Sequence, residues 1–222
     1  MIASRLDGLL PALAAVSLAV LLFHGERRRN LRSIWMFKPL TSALFVLVAL
    51  GRGPTGHYDW LVVAGLVLSM AGDVSLIRRE RAWFLAGLVA FLLGHIAYMV
   101  AFGTRSGLLT LPPAALVTLA AISVALFLYF RPHLGRMLWP VVAYIVVITL
   151  MLMGAWAVFA AQADGGSARW LIAAGATLFY LSDITVARDR FLPGAGFANR
   201  AIGLTLYYTA QFLLAFSIGS LT

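Results

Sequence analysis

Residues 60–81 read WLVVAGLVLSMAGDVSLIRRER, and from Trp60 to Ile77 the only charge is Asp73. A helix needs about 20 mostly apolar residues to cross a hydrocarbon core of roughly 30 Å, and this stretch, closed by the basic turn Arg78-Arg79, meets that description. Working outward, apolar runs bounded by charge recur at 9–23, 34–50, 83–102, 108–130, 137–160, 170–187 and 201–221, the first two being the shortest of the eight. Short connections rich in Arg, Gly, Pro and Asp join them, which leaves no room for a water-soluble domain. The expected fold is therefore all-α: one integral-membrane domain, residues 1–222, with about eight transmembrane helices. Composition agrees, with 62% hydrophobic residues, 11% charged residues and a mean hydropathy of +0.94.

The net charge of +9 is explained by topology. Sorting basic residues by loop puts 13 of the 17 on one face and only Arg5, Arg52, Arg105 and Arg169 on the other. Positive residues favour the cytoplasmic side, so both termini are expected outside, in the cytoplasmic (inner) membrane of a bacterium. The basic cluster Arg27-Arg28-Arg29 follows the first apolar run, and no cleavage site for a signal peptide is evident, so that run reads as a retained span. Basic residues come in short clusters without a continuous stripe, which argues against nucleic acid as a partner. The partners expected are the bilayer and a membrane lipid, with headgroup-level arginines attracting anionic lipid. No cysteine is present, which excludes disulfides, thiolate nucleophiles and cysteine-held metal centres.

Part of the chain reads as a repeat. Asp73 precedes Arg78 as Asp183 precedes Arg188, and Asp73 lies 25 positions before Tyr98 as Asp183 does before Tyr208. The identities are few, but the order suits a parallel four-plus-four duplication, which would let two carboxylates face each other.

Of eight acids, six fall in tails or loops; Asp73 and Asp183 lie inside apolar runs. Both sit roughly 7–8 Å from the basic layer at 1.5 Å per residue, near helix C-termini where a lone negative charge is costly. Intramembrane acids commonly face a partner or a wet cavity, which makes both catalytic candidates; the plainer alternative is an ion pair with Lys38, Arg78, Arg79 or Arg188 that fixes packing. His95 is the only histidine inside a run and shares a helical stripe with Phe91, Tyr98 and Phe102; a hydrogen-bonded core residue is the alternative there. Tyr207, Tyr208 and Gln211 are spaced to line one patch. Lys38, Asn199 and Arg200 offer donors at the depth of a phosphate headgroup, or else anchor the interface. No paired-histidine spacing supports a metal, and no phosphate loop or nucleophile elbow occurs, so neither metal nor cofactor is expected.

The ordered set Lys38-Pro39-Leu40, Gly72-Asp73-x-x-Leu76, Gly94-His95-x-x-Tyr98, Leu181-Ser182-Asp183 and Tyr207-Tyr208-x-x-Gln211 resembles the YhhN family, which includes the animal lysoplasmalogenases. The resemblance spans most of the chain. It implies an eight-helix hydrolase of lipid metabolism that cleaves the vinyl ether of a lysoplasmalogen to a fatty aldehyde and glycerophosphoethanolamine or glycerophosphocholine. By position, it carries importance to Asp73 and Asp183, and further to Lys38, His95, Tyr98, Tyr208 and Gln211. The chemistry suits paired aspartates: vinyl ethers hydrolyse by protonation at carbon, so one acid must hold a proton while the other stays charged. The sequence leaves open which is which. It also leaves a rival, a proton-coupled transporter of lipid or small solute, and beyond it an intramembrane aspartyl protease or a purely structural membrane protein.

Overall fold

The computed structural model describes residues 2–78, 80–107, 110–161 and 166–219, with side chains from residue 8 onward. Arg79 and Asp164, and the ends of the expected runs at Leu108 and Leu221, lie outside the described residues, as do the side chains of Arg5 and Asp7. The described residues form eight α-helices and no strand: α1 (Ile2–Val20), α2 (Leu31–Gly51), α3 (His57–Ser75), α4 (Arg81–Gly103), α5 (Pro113–Leu134), α6 (Leu138–Ala161), α7 (Ala168–Phe191) and α8 (Phe197–Phe216). α1 runs on into a π-helical turn, Leu21–Glu26, and a 3-10 turn, Gly135–Met137, separates α5 from α6.

Local chemistry sets these boundaries. The Asn30 side chain accepts from the Arg32 and Ser33 amides at 3.1 and 3.3 Å and starts α2. At the head of α3, Asp59 accepts from the Thr55 and Gly56 amides at 3.1 and 3.2 Å. Asp59 was expected in a loop; it lies in the first helical turn and is buried, because its carboxylate satisfies amides that no helical carbonyl reaches. Gly135, with φ of +47°, turns the chain between α5 and α6.

Among the described residues, six apolar stretches are long enough to cross a membrane: Gly8–Glu26, Leu31–Gly51, His57–Ser75, Arg81–Gly103, Pro113–Ala161 and Ala168–Phe191, the fifth holding both α5 and α6. The run expected at 201–221 does form α8, but this helix is not among those stretches; it carries Asn199, Arg200 and Gln211. Large apolar side chains face outward, with Trp139 76% and Val117 67% exposed, as a surface solvated by lipid requires. The chain is an all-α polytopic membrane protein.

Helix neighbours define a closed ring, α2–α3–α4–α6–α7–α8 and back to α2, with α1 resting on α2 and α5 resting on α6 and touching α7. α3 and α4 approach closely because Gly72 lies under the Phe91 ring, where an added Cβ would stand 2.6 Å from ring carbons. Gly175 does the same for α7 against Leu214 of α8, at 2.9 Å. Small residues are the usual means of close helix packing in lipid, where helix association draws little from the hydrophobic effect. Each neighbour pair within the first four helices has a counterpart four helices on, α1/α2 with α5/α6, α2/α3 with α6/α7 and α3/α4 with α7/α8, and α2/α8 is matched by α6/α4.

The basic residues divide between the ends of the bundle. Arg29, Arg78, Arg190 and Arg200 surround an internal cavity at one end. At the other, Arg52 donates to the Ile218 carbonyl at 3.2 Å and Arg105 lies over Tyr58 at 4.9 Å.

Candidate active site

The cavity at the basic end has a volume of about 590 Å³, within the range of small-molecule sites. Asp73 from α3 and Asp183 from α7 both line it, together with Lys38, Tyr144, Tyr207, Asn199 and Arg200. The ring brings these residues together from helices far apart in the chain.

Asp73 is 2% exposed and sits in a donor-rich pocket. The Tyr207 hydroxyl donates to Oδ2 at 2.6 Å, the Ser42 hydroxyl donates to the same oxygen at 2.7 Å, and Lys38 Nζ lies 3.5 Å from Oδ1. Lys38 and Ser42 are four residues apart on α2 and so present themselves on one face. Tyr207 is held by edge contacts with Phe91, Phe179 and Phe45, at centroid separations of 5.8, 5.4 and 6.3 Å. A charged carboxylate with two hydroxyl donors and an ammonium is a satisfied group.

Asp183 is surrounded differently. The Tyr144 hydroxyl from α6 donates to Oδ2 at 2.7 Å, and His95 Nε2 from α4 stands 3.6 Å from the same oxygen. His95 is fully buried, its ring 4.4 Å from that of Phe179 and 5.3 Å from that of Tyr144. Its Nδ1 lies 2.7 Å from the Phe91 carbonyl, an acceptor, so Nδ1 carries a hydrogen. In the neutral ring Nε2 then bears a lone pair, and it has no hydrogen-bond partner. A lone pair facing a carboxylate oxygen is favourable only with a proton between them, on one atom or the other.

The remaining expected site residues do not converge on the cavity in the same way. Tyr207, Tyr208 and Gln211 were expected to line one patch, and the structure divides them. Tyr207 reaches Asp73, Tyr208 donates to the Lys38 carbonyl at 3.2 Å, and Gln211 accepts from Tyr98 at 2.8 Å. Tyr98, Tyr208 and Gln211 are buried between helices, off the cavity lining, because α8 packs against α2 on one side and turns its Gln211 toward α4. Asn199 and Arg200 do line the mouth, with their donors engaged: Asn199 Nδ2 donates to the Thr185 carbonyl at 2.8 Å, and Arg200 pairs with Glu26 at 2.8 Å and Asp189 at 3.4 Å. Sequence reasoning passed over Ser42 and Tyr144. Ser42 was findable from its four-residue spacing to Lys38, and Tyr144 from lying well inside its run rather than at an interfacial end. Among the described residues no group of three or more His, Cys, Asp or Glu side chains is placed to hold a metal ion.

The sequence profile of the YhhN family matches residues 33–218. The lysoplasmalogenase TMEM86B of Rattus norvegicus is 32% identical over 94% of this chain and 82% of its own. The lysoplasmalogenase TMEM86B of Mus musculus is 37% identical over 74% of this chain and 66% of its own length. The membrane protein YhhN of Escherichia coli O6:H1 is 30% identical over 83% of this chain and 86% of its own. No solved structure matches the chain. The matched stretch begins ahead of Lys38 and continues past Gln211, so it contains both aspartates, every side chain that touches them and nearly all of the ring. The chain therefore belongs to the YhhN family.

Proposed function

We propose that this protein is a membrane hydrolase that cleaves the vinyl ether of a lysoplasmalogen, releasing a fatty aldehyde and a glycerophospho-base. The observation that carries the reading is that two intramembrane aspartates line one cavity and differ in their partners, one facing Lys38 and the other His95. Relatives named lysoplasmalogenases support it.

The partners suggest the roles. Asp183 is the acid: its Oδ2 stands 3.6 Å from His95 Nε2, and Tyr144 fixes its carboxyl group. Asp73 is the carboxylate, held charged beside Lys38. In the first step Asp183 gives its proton to the alkenyl carbon beta to the ether oxygen, leaving an oxocarbenium ion and an Asp183 carboxylate. Water adds to the cation and passes one proton to Asp73, which forms a hemiacetal. The hemiacetal then breaks its bond to the glycerol oxygen; Asp73 returns a proton to that oxygen, and Asp183 takes the hydroxyl proton as the aldehyde forms. Both aspartates end as they began, and one water is consumed.

The basic mouth suits the glycerophosphate, with Arg29 and Arg78 beside the frame made by Asn199 and Arg200. Tyr98, Tyr208 and Gln211 act from behind, by holding α4, α8 and α2 in register. The positive-inside rule makes the cavity end cytoplasmic and puts both termini on the other side. The test is aldehyde release by purified protein from a lysoplasmalogen, beside an ester lysophospholipid and the Asp73→Asn and Asp183→Asn variants. Aldehyde from the vinyl ether alone, absent in both variants, supports the reading. Its absence with well-folded wild-type protein rejects it.

A further inference from the structure

The cavity does not end inside the ring. Leu126 and Phe130 belong to α5, which stands outside the ring against α6 and α7, yet both line the cavity. Space therefore runs from the aspartates outward between α6 and α7 and stops at α5. Its walls change along the way. Around Asp73 they are charged and hydroxylic, whereas toward α5 they are Leu126 and Phe130 with Leu88, Val141 and Ile145.

α5 is fastened unevenly. Near its middle, the Ser123 hydroxyl lies 2.8 Å from that of Tyr180 on α7 and 2.7 Å from that of Thr149 on α6. This buried knot of hydroxyls fixes the helix where lipid offers no competing partner. Toward the basic end, Leu126 and Phe130 add apolar packing alone, and the helix closes on Pro132 and the positive-φ Gly135. Its outer face is turned to lipid, with Val124 56% and Leu128 55% exposed. Only one helix thickness separates this arm of the cavity from the bilayer.

We propose that the gap between α6 and α7 behind Leu126 and Phe130 holds the single hydrocarbon chain of the substrate lipid, and that the lipid reaches the aspartates through it from the bilayer. This rests on the hydrolase reading for the identity of the lipid. A chain laid along the apolar arm leaves its first carbons, where a vinyl ether would lie, beside Asp183, and leaves the phosphate at the basic mouth.

The experiment uses wild-type protein in phosphatidylcholine vesicles and a lysophosphatidylcholine with a photoreactive diazirine at mid-chain. We expect label on Leu126, Phe130 and Ile145 that excess unlabelled lysophosphatidylcholine removes. Label confined to lipid-facing positions such as Val117 and Val124, and indifferent to competition, overturns the proposal. A second arm compares Leu126→Trp with Val124→Trp on long-chain and four-carbon alkenyl substrates. Leu126→Trp is expected to lower long-chain turnover about tenfold and to spare the short substrate, as filling an apolar pocket does, while Val124→Trp changes neither. An unchanged chain-length profile in folded Leu126→Trp also overturns it. Competed labelling without aldehyde from any substrate leaves the chain site standing and rejects the vinyl-ether reading, so the two failures are distinguishable.

Discussion

Asp73 lies on α3 and Asp183 on α7, and each takes one partner set from the preceding even-numbered helix and another from across the ring. For Asp73 these are Lys38 and Ser42 of α2 and Tyr207 of α8; for Asp183 they are Tyr144 of α6 and His95 of α4. The two arrangements are alike in outline and differ in the chemistry of their partners. Lys38 stands beside one carboxylate and His95 beside the other, and unlike surroundings are how carboxylate pairs divide acid and base work.

The largest effect should come from removing either carboxyl function. Asp73→Asn and Asp183→Asn are each expected to lower kcat by about 10³-fold or more, since positioned acid–base groups contribute about 10²–10⁴-fold. Aldehyde formation measured beside a folding check by size-exclusion chromatography decides this, and near-normal turnover in either variant would dissolve the comparison. Next comes the charge that separates the two sites. Lys38→Met leaves the Asp73 carboxylate buried without its cation, and breaking such a pair costs about 3–5 kcal/mol. A lowered Tm in detergent is expected, with partial recovery in the double variant Lys38→Met, Asp73→Asn; if the double variant recovers nothing, the pair is not what holds that site.

Tyr144→Phe should sharpen the contrast. It removes one hydrogen bond of about 1 kcal/mol from Asp183, so a fall in kcat of a few-fold to about tenfold is expected, with KM little changed. An effect on KM alone would place Tyr144 in substrate binding instead. The smallest effect is expected behind the site. Tyr98→Phe breaks the bond to Gln211 and should lower stability by about 1–3 kcal/mol through the unpaired amide oxygen, with turnover per folded molecule unchanged. Lost turnover in a fully folded variant would bring Tyr98 into the chemistry.

How much of this was legible beforehand differs between fold and site. The run 60–77 predicts α3 to within a few residues, and 83–102 does the same for α4, because apolar length between charges is a one-dimensional signal. The first run was read too short: polar residues ahead of 9 obscure a helix that begins at Ile2. Asp73, Asp183, His95 and Lys38 stood out because ionisable groups are expensive in hydrocarbon and rarely occur there without cause. Tyr144 and Ser42 did not, since tyrosine and serine are ordinary in membrane helices and only a partner gives them meaning. Asn199 and Arg200 do line the cavity, but the acids that engage Arg200, Glu26 and Asp189, come from the turn after α1 and the end of α7, and spacing could not reveal them.

Composition, run length and the positions of charges are properties of the chain in order. They determined by themselves that this protein is a helical membrane protein, where its helices fall, which ends carry the arginines and which two acids need explaining. Tertiary structure alone decided that Lys38 goes to Asp73 and His95 to Asp183, that Gln211 turns to Tyr98 and that α5 closes one arm of the cavity. The physical reason is that those relations depend on how helices rotate and pack around the ring, and packing in lipid is governed by small contacts such as Gly72 against Phe91, which join residues that the sequence keeps far apart.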